Sequence, residues 1–244
     1  MFGFNFDRKI LYIILGALVL MSLRSLTGSM ILSTLLTLPG VIIAITFHEF
    51  AHAWAADKLG DDTPRYQGRL NLNPMSHIDP VGFMLLLFAG FGWGKPVQIN
   101  PNNFKRNITL SKGEALVSLA GPLMNFMIAV VLSLIMGAIY KFAPLFIISQ
   151  AGGIIILLMQ CTIFVNIGLG VFNLIPLPPL DGSKIFMSIM PYKARRWIIE
   201  NEKYFYIAFL IIWISGLSGW IISPIINFIS EGLFKLISII FRLR

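Results

Sequence analysis

The chain has 244 residues, of which 57% are hydrophobic and 12% are charged, and its mean hydropathy is +0.81. Soluble globular domains carry about 25% charged residues, so this composition excludes an ordinary soluble domain and predicts a polytopic membrane protein. The formal net charge of +8 does not indicate a nucleic-acid partner, because basic residues of membrane proteins collect on the cytoplasmic side.

Six apolar segments approach or exceed the length of about 20 residues that a helix needs to cross a bilayer. They are 10–27, 31–59, 112–141, 147–173, 204–222 and 224–241. The stretch 10–38 could instead be one kinked span, which would invert the N-terminus, but Arg24 and the break at Gly28 favour two. The last segment places Glu231 four residues before Lys235 and could be a span or an interfacial helix.

The N-terminus resembles a signal peptide, because Arg8 and Lys9 precede the first apolar run. The sequence SLRSLTG (22–28) that follows offers no small-x-small cleavage site, so the first span is expected to be retained. Cys161 is the sole cysteine; it excludes an intrachain disulfide and is expected to be a small buried side chain.

Most basic residues lie in or beside the segments 60–112 and 174–203, which are therefore expected to be cytoplasmic. Within the first segment, 65–74 and 95–101 alternate apolar with polar residues and end in Asn-Pro, a pattern that predicts short β-strands. Between them, 81–93 is apolar but too short to span the bilayer, and its length predicts a re-entrant or interfacial segment.

His48, Glu49 and His52 form an HExxH motif within an apolar stretch. Residues four apart in a helix differ by about 40° around its axis, so both imidazoles can reach one Zn²⁺ ion. Glu49 is turned about 100° from His48, which suits a general base acting on water at the metal. The motif also occurs by chance, but each ionisable group costs about 2.5–3.5 kcal/mol in the centre of an apolar helix, which favours a metal.

Two histidines leave a catalytic zinc ion one protein ligand short. Most of the eleven acidic residues lie in polar segments or at helix ends, whereas Asp181 follows a long apolar span. The prolines of FNLIPLPPLDG (172–182) prevent a helix and would hold Asp181 in a stiff loop at membrane depth. Asp181 is therefore the preferred third ligand, although it could instead cap the next helix at Ser183.

Three further polar residues are candidates for the site. Asn125 and Asn173 are amides inside apolar spans, where they either join helices or bind substrate backbone and stabilise an oxyanion. Asn173 precedes Asp181 in one loop-capped element, which slightly favours the functional role. His77 could support the site from outside, contact substrate, or pair with Asp79 within its turn.

Five stretches now stand out: HEFAH (48–52), RLNLNPMSHIDPVG (69–82), GWGKPV (92–97), AGPLMNF (120–126) and NLIPLPPLDG (173–182). Together, over roughly residues 40–190, they resemble the site-2 protease family of intramembrane zinc metalloproteases. No PDZ-like insert separates the two halves of the motif set and no nucleotide-binding domain follows it, so the sequence resembles the short prokaryotic type. Gly94 departs from the pattern, in which alanine is expected.

Composition and resemblance together predict an all-α polytopic membrane protein of about six transmembrane helices in a single membrane domain, 1–244. The region 10–38 would hold the N-terminal spans, 40–190 the catalytic core and 204–244 the C-terminal helices. The resemblance further implies that three helices form the catalytic core and that a small β-hairpin lies at the membrane edge.

The predicted function is hydrolysis of peptide bonds in transmembrane proteins within the lipid bilayer. One Zn²⁺ ion per chain would be held by His48, His52 and Asp181, with Glu49 as the base. Asn173 would share the oxyanion charge. The candidate substrate contacts are Asn125, Lys95, Val97 and His77, and the substrate would add as a strand to 65–74 or 95–101.

The expected location is the plasma membrane, with several spans and an active site that opens toward the cytoplasm. The alternatives are a membrane protein that binds or transports metal and an inactive scaffold of the same fold. A transport path would require further ligands along the spans, and an inactive scaffold would usually have lost Glu49, so both alternatives are less favoured.

Overall fold

A computed structural model describes residues 27–89 and 92–243, and the regular structure within these ranges is helical. In chain order the helices are α1 (Gly28–Leu59), α2 (Thr63–Tyr66), α3 (Pro74–His77), α4 (Pro80–Ala89), α5 (Leu110–Phe142), α6 (Pro144–Ile148), α7 (Gln150–Asn173), α8 (Asp181–Ser188), α9 (Tyr192–Glu200), α10 (Glu202–Ile214) and α11 (Leu217–Phe241). A 3-10 turn, Pro101–Asn103, precedes α5. Apart from its last residue, the predicted first span (10–27) lies outside the described residues.

Four of the described helices are long and apolar enough to cross a membrane, which confirms an all-α membrane protein. They are Ile31–Leu59, Leu110–Phe142, Gln150–Asn173 and Gly219–Phe241. Of the six predicted spans, 10–27 lies almost wholly outside the described residues, and the prediction of separate spans at 204–222 and 224–241 is wrong, because a single spanning helix is found there. α10 has 13 residues, about 20 Å of helix, which is too short to span.

The break between the last two helices lies at Gly216, not between residues 222 and 224 as the predicted spans implied. Gly216 has a φ of 75°, a left-handed conformation that glycine adopts without steric cost and that ends α10. Pro224 lies inside α11, because membrane helices tolerate proline where neighbouring groups compensate the lost hydrogen bond.

Three long helices, α1, α5 and α7, pack directly against one another. A Cβ at Gly40 of α1 would lie 2.8 Å from the Thr162 Cα of α7, so glycine is required for this close approach of the backbones. Ala129 of α5 and Ile163 of α7 are buried in the apolar core beside this contact. The three helices that carry the predicted site residues are therefore held closely together.

The predicted β-hairpin is not formed by the described residues, which contain no sheet. In 65–74 the chain runs from α2 through Gly68, at a φ of 64°, into turns in which Asn71 and Asn73 accept hydrogen bonds from backbone N–H groups two residues on. Such side-chain bonds compete with strand pairing. The alternation of apolar residues in 65–74 therefore does not correspond to a β-strand.

Residues 95–100 belong to no helix or sheet, and three of their N–H groups bond to other parts of the chain. We call them the extended segment, after the extended backbone of Asn100 at their end (φ −117°, ψ 97°). Lys95 N donates to His77 O over 2.7 Å, Val97 N to Glu49 Oε2 over 3.1 Å and Asn100 N to Asp61 Oδ2 over 2.6 Å. A single isolated antiparallel bridge joins Ile78 and Gly94.

Most of the apolar segment 81–93 lies in α4, whose ten residues extend for about 15 Å. That length is too short to cross the bilayer, in agreement with the sequence prediction. Asp79 begins this helix, since its Oδ1 accepts from Gly82 N over 2.8 Å.

Asp61 joins the end of α1 to the extended segment. Its side chain is fully buried and accepts hydrogen bonds from Thr63 N, Thr63 Oγ1, Asn100 N and Asn103 Nδ2 at 2.5 to 3.1 Å. Burial alone would raise the pKa of this carboxyl, but the bonds from Thr63, Asn100 and Asn103 outweigh burial and lower it. The ionised carboxylate thus anchors the segment that reaches Glu49.

Replacing Asp61 with Asn should loosen the segment 97–103, because an amide NH₂ would face the donors that the carboxylate now accepts. We expect the free energy of local opening to fall by about 1–3 kcal/mol, measured by hydrogen–deuterium exchange of the backbone amides. Asp62→Asn, at the neighbouring exposed position, is the control and should leave exchange unchanged.

The same exchange experiment should depend on pH in wild-type protein. Because the folded-state pKa of Asp61 is lowered, its stabilisation is fully present above the unfolded pKa of about 3.9 and is lost as the pH falls through the folded value. A free energy of local opening that is the same in both variants, and that does not change in wild-type protein as the pH falls, would contradict this role.

Candidate metal centre

His48 and His52 lie one turn apart on α1 and direct their rings to the same point. The ring centroids are 4.5 Å apart, with an interplanar angle of 88°, and the two Nε2 atoms are separated by 3.0 Å. Both residues are buried, with exposures of 5% and 8%. The helical spacing expected from the sequence therefore brings the two imidazole nitrogens together.

Asp181 is the first residue of α8 and completes the group. Its Oδ2 lies 3.1 Å from each histidine Nε2. The alternative role as a helix cap is not observed, since Leu180 occupies the cap position and makes no side-chain cap bond.

A buried chain of amides fixes the orientation of the His48 ring. Asn125 Nδ2 donates to Ala44 O over 3.0 Å and to Asn166 Oδ1 over 3.1 Å, and Asn166 Nδ2 donates to Thr162 O over 2.9 Å. Asn125 Oδ1 must therefore accept from His48 Nδ1, at 2.7 Å. The proton of a neutral His48 is thus assigned to Nδ1, and Nε2 carries a lone pair.

His52 is oriented in the same way by a backbone carbonyl. Its Nδ1 lies 2.7 Å from Val117 O, which can only accept, so the proton is on Nδ1 and Nε2 is again unprotonated in the neutral ring. Ligand histidines usually donate their second ring N–H to a carbonyl or another oxygen acceptor. Both imidazoles have this arrangement.

Three electron-pair donors therefore meet in a nearly equilateral triangle with sides of 3.0 to 3.1 Å. Tetrahedral bonds of about 2.0–2.1 Å to zinc require donor separations on the order of 3.3 Å, close to those present. Without a cation, two lone pairs and a carboxylate would repel one another in a site of low dielectric. Among the described residues, these three form the group that could hold a metal ion.

Gly121 of α5 makes room for the two rings. A Cβ at this position would lie 2.5 Å from His52 Nε2 and 2.6 Å from His48 Cε1, distances that atoms essentially never reach. A glycine is therefore required for α5 to close one side of the site.

The Glu49 carboxylate contacts the extended segment. Its Oε2 accepts from Val97 N over 3.1 Å. A Cβ at Gly94 would lie 3.2 Å from Glu49 Oε1 and 2.9 Å from Ile45 Cγ2, so glycine, in place of the alanine expected from the resemblance, lets this segment pass closely over the carboxylate.

The other predicted site residues lie apart from the triangle. His77 is fully buried and its Nε2 lies 2.7 Å from Asn71 O, while Asp79 begins α4. Asn173 Nδ2 donates to Leu169 O of its own helix over 3.0 Å. Lys95 is exposed on the extended segment, and its carbonyl accepts from the buried Arg69.

Asn166 and Gly121 contribute to the site and were not found from the sequence. Asn166 is an amide inside an apolar span, the same signal that identified Asn125, so it could have been chosen by the same rule. Gly121 lies in AGPLMNF (120–126), one of the stretches that carry the resemblance, but glycine is common in membrane helices and its contact with the rings depends on how α5 packs against α1.

Gly121→Ala should weaken zinc binding by about 10- to 100-fold, since overpacking costs roughly 1–3 kcal/mol. The matched control is Gly232→Ala in α11, where a Cβ would meet nothing within 4 Å. Zinc affinity measured with a competing chelator distinguishes the two, and equal affinities would contradict the proposed crowding.

Asn125→Leu should also weaken zinc binding by about 10- to 100-fold, the usual effect of removing a group that orients a ligand. The control is Asn173→Leu, which removes an amide bonded within its own helix and should leave zinc affinity unchanged. If both variants bind zinc as tightly as the wild type, the orientation of His48 as a ligand does not depend on the amide chain.

The comparisons with known proteins agree with this geometry. The sequence model of the family described as "Peptidase family M50" matches residues 136–215, which include Asp181. Two similar proteins are each named "Putative zinc metalloprotease": YwhC of Bacillus subtilis (strain 168), 36% identical over 202 residues, and Rip2 of Mycobacterium tuberculosis (strain ATCC 25618 / H37Rv), 26% identical over 190 residues.

The alignment with YwhC covers 83% of this chain and 90% of the relative, and that with Rip2 covers 76% and 69%. No solved structure matches the chain significantly. A relative of this identity that is covered almost completely leaves the family in no doubt. The chain belongs to peptidase family M50, the site-2 protease family.

Proposed function

We propose that the protein is an intramembrane zinc metalloprotease that hydrolyses peptide bonds of transmembrane protein substrates. The observation that carries this proposal is the convergence of His48, His52 and Asp181 with both Nδ1 atoms engaged elsewhere. The names of the relatives and the family match support the same activity. Three protein ligands are typical of a catalytic zinc site, which keeps one position open.

His48, His52 and Asp181 would hold one Zn²⁺ ion per chain. A zinc ion at this place supplies a Lewis acid that polarises a carbonyl and lowers the pKa of water. The residues of the chain then determine where the peptide lies and where its protons move.

Glu49 is proposed as the general base. It follows His48 directly on α1, and the hydrogen bond from Val97 N holds its Oε2, which leaves Oε1 as the atom to take a proton from the attacking water. The same carboxyl would then pass that proton to the leaving amine. Its half-buried position next to the extended segment supports this role.

The extended segment is the proposed binding edge for an unwound substrate. The N–H groups of Lys95 and Val97 point toward the protein, and successive residues of an extended chain alternate in direction. The Pro96 carbonyl and both backbone groups of Gln98 therefore face away and could pair with a substrate strand. Lys95 and Val97 stay candidate contacts, whereas Asn173 would have to leave its intrahelical bond to reach an oxyanion.

We further propose a multi-pass protein of the plasma membrane whose site opens toward the cytoplasm. α1 ends at Leu59, about 10 Å along the helix from His52. The segment 60–109 connects this end to the start of α5, and the segment 174–180 follows the end of α7. In this proposal these three helix ends lie on the same side of the membrane. Basic residues concentrate in the wider segments 60–112 and 174–203 on this side, as expected for the cytoplasmic side.

Glu49→Gln is expected to retain zinc but to cleave about 10²- to 10⁴-fold more slowly, the usual contribution of a general base. Metal analysis and cleavage of a panel of single-span proteins in proteoliposomes measure the two properties. Glu231→Gln makes the same chemical change at an exposed position of α11 and should cleave at the wild-type rate. Normal cleavage by a zinc-loaded Glu49→Gln protein would exclude Glu49 as the base.

A further inference from the structure

An apolar cavity of about 460 Å³ lies beside α8 and α9, at the polar end of the spans. Helical stripes from the two elements form its walls, with lining positions three and four residues apart. They include Phe186, Met187 and Met190 on one side and Ala194, Trp197 and Ile198 on the other. We call this site the α8–α9 cavity.

The cavity opens outward at its aromatic edge. Phe186 is 43% exposed and Trp197 is 59% exposed, and the Trp197 ring meets Phe205 edge to face with centroids 5.9 Å apart. Exposed aromatic rings at the end of apolar spans are typical of the membrane–water interface.

The two helices that line the cavity carry an excess of basic residues. From 181 to 200 the sequence contains four basic residues and two acidic residues, Asp181 and Glu200. Arg195 is paired with Glu114, at 2.9 Å, and Arg196 with Glu200, at 2.7 Å. Lys184 and Lys193 are exposed, and within the described part of the chain neither forms an ion pair.

Lys184 and Lys193 are each the chain neighbour of a lining residue. Lys184 follows Ser183 on α8, and Lys193 precedes Ala194 on α9. Consecutive residues are about 100° apart around a helix, so the two lysines lie at the borders of the faces of α8 and α9 that line the cavity, and the lining itself is almost wholly apolar. A ligand that matches it needs a hydrocarbon portion and a negatively charged group at one end.

We propose that the α8–α9 cavity binds an anionic phospholipid, with an acyl chain among the apolar residues and the phosphate next to Lys184 and Lys193. Short amphipathic helices with basic and aromatic residues lie in the headgroup region of anionic membranes, and α9 has this composition. A peptide ligand is less well matched, because the lining offers few polar groups that could bind its backbone.

The test uses tryptophan fluorescence of the full chain in mild detergent, titrated with phosphatidylglycerol or phosphatidylcholine that carries dibrominated acyl chains. Trp197→Phe identifies the signal of Trp197 among the five tryptophans. We expect phosphatidylglycerol to quench Trp197 at about 30-fold lower concentration, since each lysine near the phosphate contributes about fivefold.

Lys184→Gln/Lys193→Gln should remove the preference for phosphatidylglycerol. Arg106→Gln/Lys112→Gln, which loses the same charge at exposed positions elsewhere, should keep it. Ala194→Phe should reduce quenching by both lipids, because it fills the cavity. Circular dichroism and zinc content verify that each variant is folded.

Equal quenching of wild-type protein by the two lipids overturns the proposal, and this comparison needs no variant. It is also overturned if the Lys184→Gln/Lys193→Gln protein keeps the preference, if Ala194→Phe leaves quenching unchanged, or if a transmembrane substrate peptide competes for the cavity. None of these measurements uses peptide cleavage, so they do not depend on the proposed function.

Discussion

The repulsion among three electron-pair donors is the constraint on which the rest of the site depends. Two imidazole Nε2 atoms and a carboxylate oxygen lie within 3.1 Å of one another in a setting where His48 and His52 are almost fully buried. In a low dielectric such a group is unfavourable unless a cation neutralises it. A divalent metal is the cation that satisfies all three donors together, and the surrounding structure determines that they remain in place.

Two kinds of contact keep them there. The amide chain through Asn125 and Asn166 holds His48 by fully satisfied hydrogen bonds, and a satisfied buried polar network is specific because every alternative leaves a group unpaired. The close approach at Gly121 prevents the rings from turning away. The same residues therefore join α1, α5 and α7 and orient the ligands, so helix packing and metal geometry are not separable here.

Sequence reasoning was most successful where the signal is local. The spacing of His48 and His52 follows from the helix alone, and Asp181 could be selected because its proline-rich loop at the end of an apolar span is unusual. The β-hairpin was predicted wrongly because Asn71, Asn73 and Asp61 bond backbone groups that a strand would have paired. The bonds of Asn71 and Asn73 are local, whereas that of Asp61 joins residues 39 positions apart, and the alternation of Leu70 with Leu72 contains no information about either kind. The boundary between α10 and α11 was also misplaced, because both predicted segments are apolar and the break depends on the left-handed backbone of Gly216.

The proline-rich loop before Asp181 is a place where local stiffness positions a ligand. Pro176 and Pro178 line the α8–α9 cavity, and the loop that contains them leads directly to Asp181. Since 133 residues separate His48 from Asp181, closing that distance costs conformational entropy, and a loop with few accessible conformations reduces the cost. A hydrocarbon chain packed against the same prolines would restrict the loop further. The position of the Asp181 carboxylate would then depend on whether a lipid occupies the α8–α9 cavity.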